Sequence, residues 1–358
     1  MRAMLVRRSG QDPELRADVR TRAVGPGDVR VRIRASGVCH SDLSAIDGVL
    51  PNKRPFVPGH EGAGEVVEVG AQASGLAVGD HVVVCWVPPC GHCANCLRGE
   101  ANLCSELFAA SALTANFTVD GAPLYGVFGT GTWAEEVVLP WQSAVPVDKD
   151  VPFDVAALIG CAVTTGVGAV LNTARVEPGS SVAVIGCGGV GIAAVQGARL
   201  AGAADIVAID PSAAKRELVA RFGATRAVAP EDALAARDEL TGRRGFDYVF
   251  ECVGRGELVR QAYDMARRGG AVVVIGAGGR ADMVSLSMAE LFYDGKRILS
   301  SWYGGADARV EYGRLVRLWR AGRLDLESMI TARLPLESVG DALDLMRSGE
   351  GIRSVIEF

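Results

Sequence analysis

Positive charge is what this chain of 358 residues is short of: 37 Lys and Arg stand against 42 Asp and Glu, leaving a net charge of −5. With no basic surplus to neutralise phosphates, nucleic acid is excluded as a main partner. The N-terminal Met1-Arg-Ala-Met-Leu-Val-Arg-Arg8 lacks the apolar core of a signal peptide. Nine cysteines, an odd number with clustered spacing, do not make a secreted disulfide framework and fit the reducing cytoplasm. No internal repeat, low-complexity tract or long linker interrupts the chain. Two uncharged runs, Val155–Ala174 and Pro178–Ala198, are long enough to cross a bilayer. Both are broken by Gly, Thr, Ser, Asn or Gln, so they read as buried interior and no membrane is expected.

What is present suits a globular enzyme: 49% hydrophobic and 22% charged residues, with length enough for about two domains. The first 160 residues read as mostly β. Val29, Val31, Ile33 and Ala35 alternate with Arg30, Arg32 and Arg34, the period of a half-buried strand. Similar runs follow at Gly64–Val69, His81–Trp86 and Glu135–Leu139, between Gly- and Pro-rich turns. From Ser181 the pattern becomes strand (Ser181–Ile185), helix (Val190–Ala201), strand (Asp205–Ile209), with buried strands again at Phe246–Cys252 and Ala271–Ile275. That alternation predicts a parallel sheet covered by helices. Helices at Val310–Ala321 and Val339–Arg347 and a strand at Ile352–Phe358 close the chain.

Gly186-Cys-Gly188-Gly-Val-Gly191 follows the first of those strands and opens a helix. In a chain with 45 glycines a bare G-x-G-x-x-G says little, but this context is the one a dinucleotide needs. The three glycines allow a tight turn, close approach of a pyrophosphate and close helix packing, and the helix N-terminus favours the phosphate charge. Asp210 ends the next strand, 19 residues after Gly191. An acid there can hold the adenosine ribose hydroxyls and repels a 2′-phosphate, which favours NAD over NADP. Lys215 is within reach of the same ribose.

Cys90-Gly-His-Cys93-Ala-Asn-Cys96 and Cys104 form a second cluster, with the ligand count and spacing of a closed, structural zinc site. A disulfide pair or iron–sulfur ligation uses similar spacings. Cys39, His60 and Cys161 offer two thiolates and an imidazole, the ligands of a catalytic zinc with one open position. Each taken singly also reads as a buried structural residue.

Together these features resemble the zinc-dependent alcohol dehydrogenases of the medium-chain dehydrogenase/reductase superfamily. The resemblance rests on Gly37-Val-Cys39-His-Ser-Asp42, Gly59-His60-Glu61-Gly-Ala-Gly64-Glu-Val-Val67, the four-cysteine run, Gly160-Cys161, Gly186–Gly191 and the closing Gly351–Phe358. It spans essentially the whole chain, with the motifs in the family's order. The segment between Cys104 and Trp133 resembles the long-insert alcohol and thiol-adduct aldehyde dehydrogenases.

The resemblance implies an α/β protein with two domains. A GroES-like β-rich catalytic domain would take residues 1–162 and 302–358, with a structural-zinc lobe at about 88–106. A Rossmann domain with a doubly wound parallel sheet would take 163–301 and bind NAD. Two Zn²⁺ per chain are implied. Cys90, Cys93, Cys96 and Cys104 would hold one; Cys39, His60 and Cys161 would hold the other, with Glu61 as an occasional ligand and Asp42 orienting His60. Ser41 matches the hydroxyl that passes the alcohol proton on. His40 and Arg353 match positions at the cofactor pyrophosphate, and Val190 and Thr165 at the nicotinamide. Leu50, Trp86, Val127 and Phe128 match the substrate channel. Many relatives carry a histidine where this chain has Ser44, which is no base near neutrality.

The reading is therefore an NAD-dependent alcohol dehydrogenase acting on a primary or aromatic alcohol or aldehyde, as a homo-oligomer, dimer or tetramer. Oxidation of a formaldehyde–thiol adduct, reduction of a conjugated double bond, and a catalytically silent cofactor-binding protein are the alternatives.

Overall fold

The computed structural model describes residues 1–358, which divide into two compact units. The first comprises Met1–Cys161, Asp307–Gly322 and Leu326–Phe358; the second comprises Ala162–Ala306 and Arg323–Asp325.

The first unit is built on a seven-stranded sheet. Its strands run in the order Ala144–Val147, His81–Val84, Glu61–Val69, Asp28–Gly37, Arg353–Glu357 and Ile330–Pro335, with Glu136–Pro140 also paired to Asp28–Gly37. The pairing is antiparallel except between Ile330–Pro335 and Arg353–Glu357. The alternation in Asp28–Gly37 explains its central place. Val29, Val31 and Ile33 are buried, while Arg30, Arg32 and Arg34 on the other face meet Glu68, Glu136 and Glu65 of neighbouring strands. Register then sets up the site. Gly37 pairs with Glu61, so the loop that follows one strand lies beside the loop that precedes the other. A Cβ at Gly37 would stand 2.1 Å from the Glu61 carboxylate, so only glycine permits that approach.

In the second unit, six parallel strands run from one edge to the other as Arg226–Val228, Asp205–Ile209, Ser181–Ile185, Phe246–Glu251, Ala266–Val274 and Arg297–Ser300. This is the doubly wound order, and it reverses between Ser181–Ile185 and Phe246–Glu251. The glycine fingerprint leaves Ser181–Ile185 at that reversal and opens the helix Gly189–Ala201.

The expected burial of the Val155–Ala174 run holds, while the bounds of the two units differ by a few residues from those expected. The helical run Phe153–Ala174 is long and apolar enough to span a membrane, but 89% of its most apolar stretch is buried in the protein. The boundary between the units falls inside it, at Cys161–Ala162. The return falls at Ala306 rather than 301. Here the turn Trp302–Gly305 is tied to that helix, Asn172 Nδ2 donating to the Gly304 carbonyl at 3.3 Å and Thr173 Oγ1 lying 3.0 Å from Ser301 Oγ. The β reading of the first half also missed helices at His40–Asp47 and Leu107–Leu113.

Candidate active site

Cys39 lies two residues after the strand Asp28–Gly37 and caps the helix His40–Asp47; His60 lies just before Glu61–Val69. Cys161 comes from the helical run, inside a widened π turn at Ile159–Val163. Such turns re-aim a side chain and recur at functional positions. One donor atom from each of Cys39, His60, Glu61 and Cys161 lies within 4.8 Å of the other three, and all four residues are buried.

Asp42 organises this group. Its carboxylate lies 2.9 Å from His60 Nδ1 and accepts from the backbone N–H of Gly59 at 3.0 Å and of Cys39 at 3.2 Å. His60 Nε2 is left buried without a hydrogen bond, as is Glu61 Oε2. An imidazole held by a carboxylate on one nitrogen and bare on the other is how a metal-binding histidine is set. A hydrogen bond from the Cys161 thiol holds Cys39 well below the usual thiol range, against its burial and with help from Arg353 and His60. Two sulfurs, a bare imidazole nitrogen and a spare carboxylate oxygen fit Zn²⁺.

Arg353 is tied to the same group. It is 6% exposed, and donates to Glu61 Oε1 at 2.5 Å and to the Val38 carbonyl at 3.0 Å, which engages it with the donor group. Burial still pushes the Glu61 carboxyl up to about 8, although Arg353 opposes it. His40 is exposed and Ser41 half-buried at the start of their helix.

Aromatic rings stand against His60: Trp86 at 5.8 Å and Phe128 at 5.3 Å between ring centres, both edge-on. Phe128 reaches this position through a backbone φ of 51°, a conformation rare for a bulky residue and typical of strained functional positions. Val127, expected on the channel, is instead enclosed in the core with Phe56 and Trp133. Leu50 is half-buried. Phe108, on the helix Leu107–Leu113, packs 6.1 Å from Trp86 and was missed, since no local motif marks it.

The four cysteines of the lobe are free thiols, with one sulfur from each within 4.8 Å of the others. This excludes the disulfide alternative. Cys90 and Cys96 sulfurs are 3.9 Å apart, close to the ~3.8 Å edge of a tetrahedron with ~2.3 Å metal–sulfur bonds, which leaves room for one ion. Backbone N–H groups point at the sulfurs, Cys93 to Cys90 at 3.2 Å and Cys90 to Cys104 at 3.3 Å.

In the second unit, a Cβ at Gly191 would lie 1.7 Å from the Gly186 carbonyl oxygen, so the third fingerprint glycine is required by packing. Gly188 has open space above it. Asp210 accepts from the N–H of Cys187 at 2.7 Å and of Ser212 at 2.9 Å, one on each oxygen. It thus braces the fingerprint turn and keeps a lone pair per oxygen for another donor. Lys215 and Val190 are half-buried, and Thr165 is buried. Arg216, absent from the sequence reading, donates to the carbonyls of Asp210 and Pro211 at 2.7 and 2.8 Å.

The profile of the alcohol dehydrogenase GroES-like domain matches residues 25–149, and that of zinc-binding dehydrogenase matches residues 189–319. An S-(hydroxymethyl)glutathione dehydrogenase of Synechocystis sp. is 39% identical over 344 residues, covering 93% of each chain. Among solved structures, benzyl alcohol dehydrogenase from Acinetobacter calcoaceticus superposes with a TM-score of 0.92 at 30% identity, covering 100% of this chain and 99% of that one. An alcohol dehydrogenase zinc-binding domain protein from Burkholderia ambifaria gives 0.93 at 32% identity, covering 100% and 98%.

Proposed function

Since the chain belongs to the zinc-dependent alcohol dehydrogenase family of medium-chain dehydrogenases/reductases, we propose that it oxidises a primary or aromatic alcohol, or reduces the aldehyde, with NAD. The observation that carries this reading is the donor group Cys39, His60, Glu61 and Cys161 with Trp86 and Phe128 standing over His60. When bound there, zinc supplies a Lewis acid for the substrate oxygen, and the nicotinamide accepts a hydride. The protein's own part is positional. Asp42 fixes the His60 ring, Arg353 engages Glu61, and the two aromatic rings exclude water and favour a flat or unbranched substrate. Ser41 is the hydroxyl we assign to the first proton transfer. With Ser44 unable to act as a base, the proton leaves through His40 or water.

The four-cysteine lobe takes a second, structural zinc in this reading. Selectivity for NAD rests on Asp210, whose negative charge opposes a 2′-phosphate.

A second reading, oxidation of S-(hydroxymethyl)glutathione, is favoured by the names of curated relatives at 38–39% identity. Against it, the segment Ser105–Trp133 contains no Lys, Arg or His to receive the carboxylates of that substrate. The test is a panel of benzyl alcohol, straight-chain alcohols, polyols and the glutathione adduct, each with NAD and with NADP. The primary proposal expects benzyl or straight-chain alcohols with NAD to give the highest kcat/KM. Preference for the adduct would replace it with the second reading, and preference for polyols would refute both.

A further inference from the structure

Beside the four-cysteine site stand two donors that neither zinc site needs, His92 and Glu106, and Cys90 joins them to it. His92 sits between Cys90 and Cys93 in sequence, and its Nδ1 lies 3.3 Å from Glu106 Oε2. One donor atom each from Cys90, His92 and Glu106 lies within 4.8 Å of the other two. Donors on one tetrahedral zinc stand roughly 3.3–3.8 Å apart given metal–ligand bonds of about 2.0–2.3 Å. The His92–Glu106 pair already has that spacing.

Accessibility separates this cluster from the site it adjoins. The side chains of His92 and Glu106 are 73% and 55% exposed. Cys93 and Cys104 are 6% and 3% exposed, whereas Cys90 and Cys96 are half-buried, and only Cys90 of these two also groups with His92 and Glu106. Cys90 is thus shared: it belongs with the other three thiolates and also with an open imidazole–carboxylate pair. A hydrated ion in solution meets the pair before it meets Cys93 or Cys104.

We propose that Cys90, His92 and Glu106 form an entry and exit station through which zinc exchanges with the four-cysteine site. Zn²⁺ imposes no strict geometry and can pass through a higher coordination number, so its ligands can be traded one at a time. At each step inward, one zinc–nitrogen or zinc–oxygen bond breaks as one zinc–sulfur bond forms, while Cys90 keeps hold of the ion. No electrons move; each incoming thiol gives its proton to solvent as its sulfur binds, and the displaced imidazole, carboxylate and water return to solvent. A plain surface ion pair, by contrast, contributes little and leaves exchange untouched.

The proposal rests on the lobe holding a metal with four thiolates, and one experiment separates the two ideas. The zinc-loaded enzyme is challenged with NMR-active cadmium, whose chemical shift distinguishes a four-thiolate site from the Cys39–His60–Cys161 site. Absence of a four-thiolate resonance in the unaltered enzyme would remove the underlying reading. If the resonance grows in, its rate tests the station. His92→Ala and Glu106→Gln should each slow it by about tenfold, the scale on which groups adjoining metal ligands act. Final intensity and the rate at the other site should not change. Unchanged rates would overturn the proposal. Faster exchange would also overturn it, because it would make the pair a clasp on the loop. Loss of the resonance in a variant would do so too, making that residue a resident ligand.

Discussion

Asp42 shows how much one buried side chain can organise. It contributes no metal bond in the proposed site, yet it lies against His60 and takes N–H groups from both flanking loops. Asp42→Asn keeps the volume but replaces one acceptor oxygen with an amide donor. Zinc affinity at the Cys39–His60–Cys161 site should fall by about 10–100-fold, measured by chelator competition, with the lobe metal retained. Unchanged affinity would remove Asp42 from this role. Asp210 carries a comparable double duty in the second unit. Asp210→Gly should raise the KM for NAD and relax selectivity against NADP. Because the variant also loses the bonds to Cys187 and Ser212, a lower melting temperature should accompany it. Unaltered NAD selectivity would contradict the assignment of Asp210 to the ribose.

Elements depend on such residues at their ends. Asp247 takes N–H and O–H bonds from Ser181 at 2.8 and 2.7 Å and pairs with Arg267 at 2.6 Å, linking the starts of adjacent parallel strands. Burial pushes its carboxyl up, but Ser181 and Arg267 outweigh this and hold it below the ordinary Asp range. The folded pKa is therefore the depressed one. The associated stability is present above the unfolded value of about 3.9 and is lost as pH falls through the folded value. Urea unfolding should show Asp247→Asn less stable than the parent at neutral pH, with the gap closing below about pH 4. A gap that stays constant with pH would rule this out. At the lobe, Cys96→Ser should reduce two bound metals to one and lower the melting temperature, turnover declining only as the protein loosens. Loss of turnover at full thermal stability would place catalysis in the lobe.

At the scale of the molecule, the parallel sheet ends in an open edge at Arg297–Ser300, with Ile298 42% exposed. The helix before it, Met288–Asp294, exposes Met288, Phe292 and Tyr293. A bare edge strand flanked by apolar side chains pairs readily with another strand, and a second copy of this chain is the partner we assign to it. Ile298→Lys should shift light scattering toward a smaller species with the metal content intact. An unchanged mass would direct the search for an interface elsewhere.

Local pattern carried a large part of this protein. The alternation around Val29–Ala35, the glycine fingerprint after Ser181–Ile185 and the cysteine spacing at 90–104 each follow from short-range geometry, so each is legible without a structure. Residue identity likewise marked Cys39, His60 and Cys161 as donors, although they lie far apart in the chain. Their convergence is a matter of register and of one irregular turn. The pairing of Gly37 with Glu61 brings two loops together, and the π turn at Ile159–Val163 carries Cys161. The partner of Arg353, the enclosure of Val127 and the ring of Phe108 against Trp86 were equally out of reach. Each is a contact between side chains remote in sequence, set by packing, and no periodicity records it. Composition and spacing named the chemistry; the folded chain settled which atoms face one another.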